Sequence, residues 1–291
     1  MFPHFFCIGA QKSGTTWLYH NLKDHPQIWL PPVKEIRYFN RKDKRPWLIT
    51  SLSDQAERIK LYKKVKDSLP YFKKGQYIGW FLRYFLLPHN DRWYTALFSP
   101  KAGQIAGDIT PSYALVNENI VAHICSLMPD LKIIYLLRNP ITRIWSHAAM
   151  KFSNWGNGID RIDEKSIKNF LDKKKTIRRS QYINTLQIWE QVYPKEQIFI
   201  GFFEQLKENP RQLLKDICHF LEVDASEPYI PDRVEQKVRA GQYTSIPAHW
   251  AHYLAQQHHE EIKRLHDRFN NSSTASWLAF AEQHLSSERT A

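Results

Sequence analysis

Several things are scarce in this 291-residue sequence, and each scarcity excludes something. Cysteine is nearly absent: Cys7, Cys125 and Cys218 are the three, each inside an apolar run. An odd number without metal-ligand spacing argues against a disulfide framework or a zinc module, and for reduced core thiols in a reducing compartment. No stretch reaches the ~18 consecutive apolar residues that a membrane-spanning helix needs. The opening MFPHFFCIGA has no basic n-region and no small-residue cleavage site, so it reads as a first strand and not as a secretory leader. The expectation is a soluble, cytoplasmic protein without a transmembrane segment. Internal repeats and low-complexity tracts are also missing, which excludes solenoids and disordered tails. Negative charge is in deficit: 29 Asp and Glu face 41 Lys and Arg, for a formal charge of +12. An imbalance of this size favours an anionic partner.

What is present is a core. With 43% hydrophobic and 14% aromatic residues, the chain can build one large domain. FFCIGA reads as a buried strand and Thr15 to Asp24 as a helix stopped by His25-Pro26. GQIAGDIT is a second strand, and NENIVAHICSLMP a helix capped by Asn117. LKIIYLL is the strongest strand, followed by a helix with proline in its first turn, NPITRIWSHAAM. SQYINTLQIWEQVYP, QIFIGFF and NPRQLLKDICHFLEV continue as helix, strand and helix. Strands alternating with helices predict an α/β fold with a mostly parallel sheet. A segment at about 41–100 breaks the alternation. Residues 41–75 carry eleven Lys/Arg against four Asp/Glu, and residues 71–98 hold ten aromatics. It is too long for a connection, and reads as an acceptor wall, a lid or a helical decoration.

CIGAQKSGTTWLYHNL joins a strand to a helix through a glycine turn. Such a turn exposes backbone N–H groups at a helix N-terminus, where phosphate oxygens bind. Gly9 and Gly14 have the glycine spacing of an ATP-binding loop, but Thr15 stands where that loop has lysine, and the lysine is Lys12. A nucleoside triphosphatase also needs an aspartate after a hydrophobic strand to hold Mg²⁺. Here LKIIYLL ends in Arg138, a cation that would repel a metal and attract a second phosphate. The pattern therefore points to a nucleotide with two separate phosphates and no metal.

QKSGTTWL and RNPITRIWS resemble the sulfotransferases that use 3′-phosphoadenosine 5′-phosphosulfate, in their bacterial and heparan-type branch. The resemblance extends through LPPVKEIRYFN, GDITPSYA, the SQYINTLQIWEQVYPKEQIFIGFFEQLKENP segment and KVRAGQ, and so covers Phe5 to about Gln242. It implies a single domain over residues 1–291 with a P-loop-like central sheet flanked by helices on both faces. It further implies that Gln11, Lys12, Ser13, Gly14, Thr15 and Thr16 hold the 5′-phosphosulfate, and that Arg138 and Ser146, eight residues apart, hold the 3′-phosphate. Trp17 and Tyr182 match aromatics that contact adenine, with core packing as the alternative. Lys237, Arg239, Ala240 and Gly241 match a basic loop that closes on the nucleotide. Three residues are candidates for the chemistry: Lys12 beside the leaving oxygen, Glu35 as base, and Asp108 as an orienting group or the base itself. Pro111 stands where the small-molecule branch has its histidine, which leaves Glu35 as the first choice. A salt bridge with Lys34 or Arg37 is the plainer reading of that residue. His147 is expected to be structural.

The function implied is sulfuryl transfer, in line and without metal, to a hydroxyl or amine. The acceptor is expected to be a small metabolite, with an acidic glycan as the alternative and no nucleic acid as partner. The rivals are a kinase and a polyanion-binding protein without turnover.

Overall fold

The computed structural model describes residues 1–41, 45–46, 49, 65–66, 77–153, 159–236 and 245–286. Five strands form one sheet: β1 (Phe5–Gly9), β2 (Ile28–Trp29), β3 (Ile105–Ile109), β4 (Lys132–Leu137) and β5 (Ile198–Phe202). They lie in the order β2-β3-β1-β4-β5, and every pair is parallel. Phe5, Phe6 and Cys7 face Gly107, Asp108 and Ile109 of β3, while β4 pairs with β1 on the other side. The sheet is buried on both faces, which is why β1 and β4 read as continuous apolar runs instead of alternating ones.

The period-two alternation of side chains sorts the strand residues between two cores. Phe6, Ile8, Ile133, Tyr135 and Leu137 point to the larger one. There they meet α4 (Glu118–Leu127), α5 (Pro140–Ser153), α8 (Tyr182–Glu190), α11 (Ala248–Phe269) and α12 (Ser272–Ser286). Phe5, Cys7, Ile134 and Leu136 point the other way, to α1 (Thr15–Leu22) and α10 (Pro210–Phe220). Helices thus cover both faces, as the resemblance implies.

The segment after β2 yields α2 (Ile78–Leu86) and α3 (Asp91–Thr95). Its described aromatics are mostly core residues: Trp80, Phe81, Tyr84, Trp93, Tyr94 and Phe98 are all buried. Tyr94 stacks on Tyr38 at 4.7 Å between ring centroids. The aromatic richness of residues 77–98 is therefore spent on packing. Short helices α6 (Glu164–Leu171), α7 (Lys174–Arg178) and α9 (Phe203–Glu208) complete the chain; sequence periodicity alone does not announce them. The basic residues of 41–75 lie mostly outside the described residues. Among the described residues, no helix is long and apolar enough to cross a membrane.

Two outcomes follow from this packing. A Cβ at Gly107 would lie 2.1 Å from the ring of Phe5 on the paired strand. Gly107→Ala should lower unfolding stability by about 2–3 kcal/mol, read as a lower urea midpoint with unchanged slope. His147 and His258 are buried against the helical layer, and burial pulls their pKa values down to about 3 and about 4, with the Arg143 charge adding to both. A buried neutral histidine is protonated in the unfolded chain first, so its contribution is complete above the ordinary value of 6.5 and is lost as pH falls toward the depressed one. Stability should drop between pH 6.5 and 4 by about 1.4 kcal/mol per pH unit for each such histidine. His147→Gln should flatten that slope; an identical slope would assign the acid sensitivity elsewhere.

Candidate active site

The chain leaves β1 toward one side of the sheet and, after β3, crosses to β4 on the other, so a crevice opens at the carboxyl ends of β1 and β4. Helix α1 packs on one face and α5 on the opposite face, which keeps the crevice open between them. Residues 10–14 fill its floor. Ala10 N donates to Leu136 O at 2.7 Å, fixing the loop to β4, and Ser13 N closes a turn onto Ala10 O at 3.1 Å. Lys12 and Gly14 both take the left-handed backbone, at φ 75° and 95°. Only glycine suits position 14, because a Cβ there would also lie 2.5 Å from Leu206 Cδ1. Gly14 caps α1 without a side-chain hydrogen bond, and the first turn of α1 carries no acidic residue. The first N–H groups of a helix have no intrahelical partner, and those of α1 open on the crevice beside Thr15 and Thr16 as a candidate anion site.

Arg138 follows β4 directly. Asn139 accepts from Ile141 N at 2.9 Å to cap α5, and Pro140 opens that helix. The guanidinium of Arg138 is held by three groups: Lys12 O accepts from Nη1 at 3.1 Å, Thr142 Oγ1 accepts from Nε at 3.1 Å, and the Phe203 ring lies 4.5 Å below. Ser146, two turns along α5, is buried and its Oγ has no partner among the described residues. Gln11 Oε1 is likewise buried and unpartnered. Orphaned polar atoms of this kind in a crevice are what a phosphate-bearing ligand would satisfy.

Tyr182 is fully buried, and its hydroxyl donates to Arg138 O at 2.9 Å, fixing the backbone at the end of β4. Trp17 is 3% exposed and donates its indole N–H to Val234 O at 2.7 Å. Both aromatics therefore sit in packed surroundings, the alternative that sequence left open for them. His147 is buried and packs edge-on against Phe170. Lys237, Arg239, Ala240 and Gly241 lie outside the described residues.

The segment after β2 carries the candidate base Glu35. Tyr19 on α1 donates to Pro31 O at 2.8 Å, and Tyr38 N donates to the Tyr113 hydroxyl at 3.1 Å, so residues 31–38 are pinned at both ends. Glu35 and Arg37 both adopt left-handed backbone, at φ 65° and 62°. Non-glycine residues are held so only where surroundings over-determine them, and such strain gathers at functional sites. Lys34 Nζ is 3.4 Å from Thr15 Oγ1 and 3.4 Å from Glu35 Oε1, bridging the phosphate loop to the candidate base. Glu35 also pairs with Arg37. The salt bridges expected as the plainer reading are thus both present, and they place the carboxylate beside the loop.

Asp108, 1% exposed, accepts from Thr110 Oγ1 at 2.7 Å and from the hydroxyls of Tyr94 and Tyr113 at 2.9 Å each. Burial, with the Asp108 charge close by, raises both phenols well above their usual range, so they stay protonated as donors. The carboxylate is enclosed by hydroxyls at the end of β3. Lys34, Thr142, Phe203 and Arg179 are site residues that sequence reasoning passed over in this role. Arg179 had one signal, the basic run 161–179 with eight Lys/Arg, but nothing in the run tells which cation turns inward. It is half-buried and its charge is felt by Arg143, Arg37 and Glu35.

Among the described residues, no cluster of His, Cys, Asp and Glu has the geometry to hold a metal ion.

A family model for the sulfotransferase domain matches residues 2–289. The chain is similar to human bifunctional heparan sulfate N-deacetylase/N-sulfotransferase 3, at 25% identity over 236 residues, covering 76% of this chain and 22% of that protein. It is 30% identical over 141 residues to the membrane-associated sulfotransferase kil1 of Dictyostelium discoideum, covering 48% of this chain and 21% of that one. It spans about a fifth of the length of these two curated relatives. Among solved structures, a sulfotransferase from Alicyclobacillus acidocaldarius superposes with a TM-score of 0.64 at 20% identity, covering 95% of this chain and 99% of that one. A mouse sulfotransferase complexed with PAP gives 0.52 at 15% identity, covering 97% and 89%. The loop after β1, the arginine after β4 and the match over nearly the whole length agree: this chain belongs to the sulfotransferase domain family.

Proposed function

We propose that this chain transfers a sulfuryl group from 3′-phosphoadenosine 5′-phosphosulfate to a hydroxyl or amine of its acceptor. The observation that carries the reading is the Lys34 bridge, which sets Glu35 against the phosphate loop through Thr15. Bound in the crevice, the donor supplies an activated sulfuryl group on a nucleotide leaving group. The N-terminus of α1, Gln11, Ser13, Thr15 and Thr16 are placed to hold its 5′ end, and Arg138 with the unpartnered Ser146 to hold the 3′-phosphate. Lys12 meets the charge that builds on the phosphate oxygen as its bond to sulfur breaks. Glu35 takes the acceptor's proton as the acceptor's oxygen or nitrogen bonds to sulfur. Asp108 is less suited to that task, since three hydroxyls already surround it in the core; it supports the end of β3 instead.

Two classes of acceptor stand open, a small metabolite and an acidic glycan. Most of the described rings of the aromatic-rich segment are buried in the core, so they lend no support to a ring-bearing small molecule over a glycan.

Donor identity is tested by heat. Adenosine 3′,5′-bisphosphate should raise Tm without added Mg²⁺, because a ligand selective for the native state stabilises it. Protection by ATP with Mg²⁺ and none by the bisphosphate would overturn the reading. Arg138→Ala should weaken bisphosphate binding by about 2 kcal/mol or more through loss of a charge-assisted contact, and Ser146→Ala by less; calorimetric titration reads both.

Glu35→Gln keeps the side chain's shape but takes no proton. It should leave bisphosphate affinity intact and lower kcat by roughly 10²–10⁴, the usual scale for a general base. Near-normal turnover of Glu35→Gln would move the base elsewhere. An absence of turnover with every acceptor, alongside salt-sensitive binding that ignores the nucleotide, would favour a polyanion-binding protein.

A further inference from the structure

Beside the reaction crevice lies a second, polar cleft of about 560 Å³, between α7, α8 and α11. Lys174 and Arg178 reach it from α7 and Arg264 from α11. Gln181, Asn184 and Gln187 line its other wall, three carboxamides at i, i+3 and i+6 along one side of α8. Lys174, Arg264 and the three carboxamides make no side-chain hydrogen bond or ion pair among the described residues, while Arg178 has a long contact, 3.5 Å, to Leu115 O. Two carboxylates also border the cleft, but both are engaged. Asp172 accepts from Lys168, Tyr253 and Gln257, and Glu261 accepts from Ile183 N at 2.9 Å, capping α8. What remains is a row of amides, Lys174 and Arg264, and Arg178, whose contact is to a neutral carbonyl.

Arg178 touches the turn 111–115 that follows β3, the turn whose Tyr113 braces Asp108. The next residue, Arg179, turns the other way, to where its charge is felt by Glu35 and Arg37. Helix α7 is therefore a divider with cations on both sides. Its five residues span about 7.5 Å.

We propose that this cleft binds the extension of an anionic oligosaccharide acceptor, whose reacting residue lies at Glu35 and whose further acidic units cross α7 to Lys174, Arg178 and Arg264. The proposal rests on the sulfotransferase reading above and names its acceptor class. Three exposed cations, one of them held only by a long contact to the Leu115 carbonyl, call for negative charge along the ligand. A carboxamide offers both donor and acceptor to a hydroxyl, so a row of them suits a hydroxyl-rich chain better than a peptide. Among the described residues, no aromatic side chain lines the cleft, so the stacking platforms that single-stranded nucleic acid uses are not among them.

The test uses the full chain and tetragalacturonate, with maltotetraose as the uncharged sugar and tetraglutamate as the acidic peptide. Binding is measured by calorimetry with adenosine 3′,5′-bisphosphate saturating. The variant K174A/R178A/R264A removes three exposed cleft cations. The variant K23A/K101A/K195A removes the same charge from exposed lysines outside the cleft. Tetragalacturonate should bind the wild type and weaken by about tenfold or more in the cleft variant, but by no more than about twofold in the control. Maltotetraose should bind weakly to all three, and bisphosphate affinity should not change. No tetragalacturonate binding, equal loss in the two variants, or equally tight tetraglutamate binding would overturn the proposal. Bisphosphate binding is titrated first and alone, so its failure in the wild type counts against the sulfotransferase reading itself and is told apart from failure of the cleft.

Discussion

The hydrogen bond from Arg138 to the carbonyl of Lys12 is the contact on which the rest of the site depends. It joins the residue after β4 to the loop after β1, across the crevice where the sheet topology changes direction. The loop can follow its left-handed path at Lys12 and Gly14 because its neighbours hold it there. Ala10 is tied to Leu136, Lys12 to Arg138, and Gly14 has no side chain to strike Leu206. Arg138 is in turn fixed from below by Thr142, Phe203 and Tyr182. A guanidinium supported on so many sides presents its charge at one place, which is what recognition of a phosphate group needs.

Charge is distributed in the same spirit. Arg143 is completely buried on α5, bonded only to neutral oxygens of Ser180 and Thr176, with Nη1 unpartnered among the described residues. Arg179 and Arg138 lie close enough for Arg143 to feel or be felt by them. A buried cation without a carboxylate is costly. The basic surplus of the sequence is thus organised: part faces the crevice, part lies behind it, and part lines the cleft beyond α7.

The acceptor side shows where sequence reading stopped. Glu35 was picked out by resemblance, with a salt bridge to Lys34 or Arg37 as the alternative. The two readings do not compete in the folded protein, since the salt bridge through Lys34 is what brings Glu35 to Thr15. In sequence, Asp108 stood second to Glu35, as an orienting group or the base itself. Its difference is the company of Tyr94 and Tyr113, one from fourteen residues upstream and one from five downstream. The aromatics of 71–98 were visible as a cluster, but a ring that lines a pocket and a ring that fills a core have the same letter.

What the sequence by itself determined is local. The apolar runs of β1 and β4, the Asn caps of α4 and α5, the glycines of the loop and the basic residue after β4 are written in neighbouring letters, because propensity, capping and backbone freedom act over a few residues. From these the parallel α/β order and the phosphate crevice could be read. Only the tertiary structure decided which cation faces what. Lys34 meets Thr15 from nineteen residues away, Arg138 meets Lys12 from 126 away, and Arg179 reaches the neighbourhood of Glu35 from the end of α7. Such pairings depend on strand order and on how helices pack across the two faces, and a charge carries no mark in sequence of the partner that folding will bring to it.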